Sequence, residues 1–84
     1  MISVQIRFLA RLREAVGKGG MTLTLETGTL AALREALSAQ VDRSILERLF
    51  AENVRIAVNQ TLWDGSTRFA QDDEVAFLPP VTGG

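Results

Sequence analysis

Eighty-four residues, 46% of them hydrophobic and 23% charged, make one small globular domain with no room for a second. The chain has no Cys, no His, no Tyr and a single lysine, Lys18, which excludes disulfides, thiolate nucleophiles, imidazole bases and His/Cys metal sites. A formal net charge of −1 offers no basic field for nucleic acid, although residues 1–20 carry a net +3 and residues 64–84 a net −3; ends of opposite sign either lie close and compensate or present a charge-steered docking face.

Ile2, Val4 and Ile6 alternate with Ser3, Gln5 and Arg7, the period of a half-buried strand that runs on to Phe8. From Leu9 the spacing changes, and Leu9, Leu12 and Val16 mark a short helix that Gly17, Gly19 and Gly20 end. Met21, Leu23 and Leu25 alternate in a second strand, which pairs with the first as a hairpin. Thr29 is the expected N-cap of the longest helix, whose core face is Leu30, Leu33, Leu37 and Val41. Ser44 is read as the cap of a shorter helical segment carrying Ile45, Leu46, Leu49 and Phe50. Arg55–Val58 and Thr61–Trp63 follow as strands. Asp64-Gly65 is a strong turn signal, Phe69 anchors the next loop, and Asp72-Asp73 makes another turn. Glu74–Leu78 is the last strand, with Val75 and Phe77 on one face and Ala76 and Leu78 on the other. Pro79-Pro80 stops it, because proline cannot donate to the ladder.

A helix set between two hairpin-like pairs in so short a chain implies an α+β fold of the ubiquitin-like β-grasp kind. The expectation is a mixed sheet of four to five strands with one main helix packed on one face. The flanking pairs are antiparallel, and the strands joined by the central helix are expected to be parallel neighbours. Residues 1–78 form the β-grasp domain and residues 79–84 a flexible functional tail. No apolar run approaches the roughly 20 residues that span a bilayer. Gln5 and Arg7 interrupt any signal-like stretch, so a cytoplasmic protein is expected.

Candidate side-chain chemistry is thin. Asp72, Asp73 and Glu74 are consecutive, cannot share one face, and read as a solvated turn. Gly17, Gly19 and Gly20 lack the preceding strand and the Lys-Ser/Thr of a phosphate loop. Trp63 is either a partial core residue or a binding aromatic. The chain's end is different in kind. Six residues beyond Leu78 extend about 20 Å. Gly83 and Gly84 remove every Cβ from the tip, so a narrow tunnel could close on bare backbone. The one functional group there is the α-carboxylate of Gly84, a poor electrophile until converted to a mixed anhydride such as an acyl-adenylate. The alternative is a frayed terminus without a role.

Asp73-Glu74-Val75-Ala76-Phe77-Leu78-Pro79-Pro80-Val81-Thr82-Gly83-Gly84 closely resembles the C-terminal signature of the molybdopterin synthase small subunits, a family of ubiquitin-like sulfur carriers. Ala57–Leu62 is similar to that family's central strand and bend, and Phe8–Glu14 to its post-strand helix. Leu9 departs from the pattern, standing where members often carry a second aromatic. The resemblance implies that Gly84 is adenylated by an E1-like activating enzyme using ATP, with no cofactor or metal held by this chain. Gly84 then becomes a thiocarboxylate, enters the large subunit of a heterotetramer of two small and two large subunits, and donates sulfur to cyclic pyranopterin monophosphate. The chain by itself is then no enzyme, the catalytic residues being the large subunit's. Gly83, Thr82, Val81 and Pro80 would line the partner's tunnel. Phe77, Leu78, Pro79, Leu9, Arg11 and Arg13 would form the partner interface. No nucleic acid or membrane is implied. Competing readings are a sulfur carrier for thiazole or cysteine, a ubiquitin-like protein modifier, and an interaction module with an idle tail.

Overall fold

The computed structural model describes residues 1–80; Val81, Thr82, Gly83 and Gly84 lie outside the described residues. The alternating segment Ile2–Phe8 is β1, and it pairs antiparallel with β2, Gly20–Leu25, over six registers from Ile2–Leu25 to Arg7–Gly20. Between them lies α1, Ala10–Val16, which ends where Gly17 takes the left-handed conformation at φ +92° and its N–H donates to the Arg13 carbonyl. Glycine suits this position because it takes a positive φ without the backbone strain an L side chain carries there.

α2, Leu30–Ser38, starts as expected: the Thr29 hydroxyl accepts from the Ala32 N–H at 3.2 Å, satisfying one otherwise orphaned donor. Leu33 and Leu37 are fully buried, but the helix stops at Ser38, so Val41 lies past its end. α3, Arg43–Leu49, follows; Asp42 occupies the N-cap position and Ser44 sits inside the helix, which corrects the expectation that Ser44 caps it. The reason is the backbone: Asp42 is extended and already accepts from the Leu46 N–H.

β3, Arg55–Val58, and β4, Thr61–Leu62, form the second antiparallel pair, and β5, Glu74–Leu78, closes the sheet. The tight turn of that hairpin is Asn59-Gln60, both at positive φ, +51° and +69°, which matches the mirror-image turns that suit the twist of paired strands. Asp64-Gly65 instead forms a loop bend, with the Asp64 carboxylate accepting from the Ser66 N–H and hydroxyl. Those two donors hold the Asp64 carboxyl below its ordinary range.

The strand order is β2-β1-β5-β3-β4. β1 and β5 are the parallel neighbours, in register from Gln5–Glu74 to Phe8–Phe77, and β5 pairs antiparallel with β3. The strands joined through α2 and α3, β2 and β3, therefore lie on opposite sides of the central pair, which corrects the expectation that they are adjacent. The ubiquitin-like β-grasp class itself is the observed one, with five strands and three helices among the described residues. Helices cover one face, where Val4, Ile6, Phe8, Leu23, Leu25, Val75 and Phe77 meet Leu12, Leu33, Leu37, Leu46 and Leu49. Burying each such side chain contributes about 1.5–3 kcal/mol. Phe69 anchors its loop as expected, its ring 4.8 Å from the half-buried Trp63 and its N–H donating to the Gly28 carbonyl. Gly28 has to be glycine, because a Cβ there would clash with the Phe69 carbonyl oxygen.

The tail root and its surroundings

β5 is the middle strand of five, so the chain's last segment leaves from the centre of the sheet. Val75, Ala76 and Phe77 are buried, Val75 and Phe77 beneath the helices and Ala76 on the opposite face, and Leu78, Pro79 and Pro80 are half-buried. Proline at 79 and 80 ends the ladder and stiffens the exit.

Phe77 is fully buried; its ring stacks on Phe8 at 5.9 Å and meets Phe50 edge-on at 5.5 Å. Arg34 lies over the Phe50 ring at 5.1 Å. Phe77 is therefore core rather than part of an exposed interface, because alternation turns it toward the helices. Its neighbour Leu78 points to the open face of the sheet. There it shares a shallow depression with Leu9, Ala57 and Ala76, rimmed by Arg7, Glu74 and Gln60. Arg7 and Glu74 form an ion pair at 3.6 Å on adjacent strands, so at this pair the oppositely charged ends lie side by side and compensate. Leu9 is 38% exposed, held at the end of β1 by donating its N–H to the Phe77 carbonyl at 3.3 Å.

The two prolines form a ridge between two further depressions. On the sheet side, Pro79 and Pro80 adjoin Leu78, Leu62, Arg55 and Asn53. Leu62 is 57% exposed, among the most exposed large apolar side chains described. On the helix side the prolines adjoin Arg11, Leu12, Arg48, Ala51 and Val54. Arg11 thus reaches the root of the tail, whereas Arg13 does not line these depressions and stands against Gly19, its Nε 3.4 Å from where a Cβ would sit.

Residue reading missed Leu62, Ala57, Ala76 and Arg48 as neighbours of the exit. For Leu62 a signal was present: with Trp63 turned inward, strand alternation sends Leu62 outward. Arg48 had no such signal, since only the packing of α3 beside α1 brings it there. The expected positions Val81, Thr82, Gly83 and Gly84 fall outside the described residues. Among the described residues no three His, Cys, Asp or Glu side chains gather as a metal site would need, and no helix is long and apolar enough to cross a membrane.

The arrangement is a stiff platform. An apolar, partly exposed face on either side of the prolines surrounds the point where the chain exits, and the guanidinium groups of Arg11, Arg48 and Arg55 flank it. Such a surface suits the centre of a protein–protein contact, with apolar groups inside and charge at the rim.

A sequence profile described as the ThiS family matches residues 6–84. A relative from Escherichia coli (strain K12), the molybdopterin synthase sulfur carrier subunit, is 41% identical over 81 residues, covering 96% of this chain and 99% of the relative. Among solved structures, SAMP1 from Haloferax volcanii superposes with a TM-score of 0.79 at 24% identity, over 98% of this chain and 99% of that one. Subunits 1 and 2 of the molybdopterin-converting factor from Helicobacter pylori 26695 form a protein–protein complex. A chain of it matches with a TM-score of 0.69 at 24% identity, over 99% of this chain and 100% of that one.

Proposed function

This chain belongs to the ThiS family, and we propose that it is the sulfur-carrier subunit of a molybdopterin synthase. The observation that carries the reading is the 41% identity, over nearly the full length of both chains, to a relative of that name. The platform supports it: a central strand, a proline-stiffened exit and an apolar surround lead directly into Val81-Thr82-Gly83-Gly84.

In this reading a Gly84 carboxylate oxygen attacks the α-phosphorus of ATP on an E1-like activating enzyme, and pyrophosphate leaves. Hydrosulfide from the sulfur source then attacks the acyl carbon of the adenylate, AMP leaves with its bonding electron pair, the remaining S–H proton passes to solvent, and a thiocarboxylate remains. The loaded tail enters the large subunit and gives its sulfur to cyclic pyranopterin monophosphate. This chain binds no cofactor of its own; ATP is held by the activating enzyme, and with no Cys, His or Tyr here the catalytic groups belong to the partners. Gly83 keeps the tip narrow, Val81 and Thr82 touch the tunnel walls, and Leu9, Leu62, Leu78, Pro79 and Arg11 seat the platform on the large subunit. The assembly pairs two small with two large subunits, in the cytoplasm.

The test is intact-mass spectrometry of the full chain after incubation with ATP, a cognate activating enzyme and a sulfur source. The expected product has one C-terminal oxygen replaced by sulfur, localised to Gly84, and supports molybdopterin formation when the large subunit and its pterin substrate are added. An unchanged mass with a verified enzyme refutes the reading. Transfer only to a different acceptor, or gel-resolved conjugates on other proteins in place of pterin sulfuration, would instead support a different sulfur-carrier pathway or a protein modifier.

A further inference from the structure

The chain carries one side-chain amine. Eight of its nine basic residues are arginines, and the ninth is Lys18. A guanidinium stays protonated and is no acyl acceptor at neutral pH, whereas a lysine amine is one once deprotonated. Lys18 is exposed in the turn between α1 and β2, next to Gly17 at φ +92°, and among the described residues it makes no ion pair.

Strand register places this amine at the end of the sheet where the tail departs. The Gly19 carbonyl accepts from the Phe8 N–H at 2.9 Å, and Phe8 lies opposite Phe77 in the parallel pair. Gly19, Phe8 and Phe77 therefore form one row across three strands, a width of two strand spacings or about 10 Å. Lys18 is one residue beyond that row, on a flexible four-carbon stem. Beyond the stiffened Pro79-Pro80 exit, four residues reach up to about 13 Å, which together with the lysine stem exceeds the width to be crossed. The other amine, the N-terminus at Met1, lies beyond the far end of β1, where Ile2 opposes Leu25; that is about 20 Å further down the strand.

We propose that Lys18 is an acceptor site for the chain's own activated C-terminus, closing an intramolecular isopeptide bond when no sulfur nucleophile arrives. The proposal rests on the reading of Gly84 as an adenylated carboxylate. The Lys18 Nζ lone pair attacks the Gly84 acyl carbon and a C–N bond forms. The bond from that carbon to the phosphate oxygen breaks, AMP leaves with the electron pair, and the surplus amine proton passes to solvent. The tether holds the two groups at an effective concentration in the millimolar range. An amide is a far weaker acyl donor than an adenylate, so closure retires the carrier from sulfur transfer. Lys18 thereby sets a competition between sulfur supply and self-capture.

The experiment incubates the full chain with a cognate adenylating enzyme and Mg-ATP, with the sulfur source withheld. The expected product is a monomer lighter by one water, in which tryptic peptides join Lys18 to the C-terminal segment. Lys18→Arg should reduce that species to the level of a control without ATP. Adding Arg13→Lys to Lys18→Arg, beside Gly19, should restore it, whereas adding Thr24→Lys, near the far end of β2, should not. ATP-dependent AMP release with no water-loss product overturns the Lys18 assignment and leaves the proposed function standing. A water-loss product that persists in Lys18→Arg, or a covalent dimer in its place, overturns the intramolecular assignment. No ATP-dependent reaction at all, with an enzyme verified on another carrier, overturns both.

Discussion

Phe77 decides between two accounts of the chain's most informative strand. Replacing it by leucine keeps an apolar side chain of smaller volume at a site with no solvent exposure. The substitution removes the stacked contact with Phe8 and the edge contact with Phe50. Each aromatic pair is worth about 0.5–1.5 kcal/mol beyond its buried area, and the partial void adds to that. A loss of about 2 kcal/mol follows, out of a total of roughly 4–13 kcal/mol for a domain of this length. The melting temperature should fall by about 8–16 °C. Urea denaturation measures the loss, and titration of the large subunit well below the melting temperature measures docking. The expected outcome is a clear drop in midpoint with affinity changed less than about twofold, under 0.5 kcal/mol. An unchanged midpoint together with an affinity loss of about tenfold would refute the assignment of Phe77 to the core.

Leu62→Asp alters a 57%-exposed side chain on a two-residue strand, so stability should move by no more than about 0.5 kcal/mol. Binding to the large subunit, read by calorimetry, should weaken by more than 1 kcal/mol, as for a centrally placed apolar contact. Arg11→Glu with Arg48→Glu reverses the charge on the helix side of the prolines; stopped-flow association with the partner should slow and lose part of its salt dependence, while Arg43→Glu leaves both unchanged. Asn59→Ala deletes the side-chain hydrogen bonds to Asp73 and from the Glu74 N–H at a residue with φ +51°. Thermal unfolding should show a cost of about 1–2 kcal/mol, and Asn59→Gly less of the backbone part. The Asp64 carboxyl titrates below the ordinary carboxylate range because the Ser66 N–H and hydroxyl donate to its charged form. Its folded value being depressed, the contribution is present above the unfolded value and fades as pH falls through the folded one, and the Ser66 amide shift in NMR should report that midpoint.

Local chemistry in the residues announced the local structure. Alternation marked β1 and β2, Thr29 capped α2 through its hydroxyl, and Gly17 ended α1 because glycine takes that backbone without penalty. Partner choice between distant strands was not legible, since periodicity states which face is buried and not which strand lies alongside. That is why β1 and β5 were not foreseen as the parallel pair. Phe77 was ambiguous for a related reason. Val75, Ala76 and Phe77 in this central strand are all apolar, so alternation does not separate its faces and only the helices' position says which side is the core. Asn59-Gln60 was legible only as the break between two strands and through the resemblance, because Gln is an unusual occupant of a positive-φ turn, while Asp64-Gly65 carried the stronger turn composition. Of the site, the ending Pro79–Gly84 was plain in the residues; the flank of Arg48 and Leu62 exists only after folding.

The placement of β5 also has a mechanical side. A strand at a sheet's edge can peel away residue by residue at small cost, but β5 is bonded on both sides, over four register pairs to β1 and four to β3. Hydrogen bonds in these ladders run across the strand, so a pull along the chain from beyond Pro80 stretches them together in shear and cannot unzip them singly. Opening β5 means opening the whole sheet, at close to the global unfolding free energy. Whatever grips the last residues is therefore gripping the entire domain, and can tug, seat or withdraw it as one solid body.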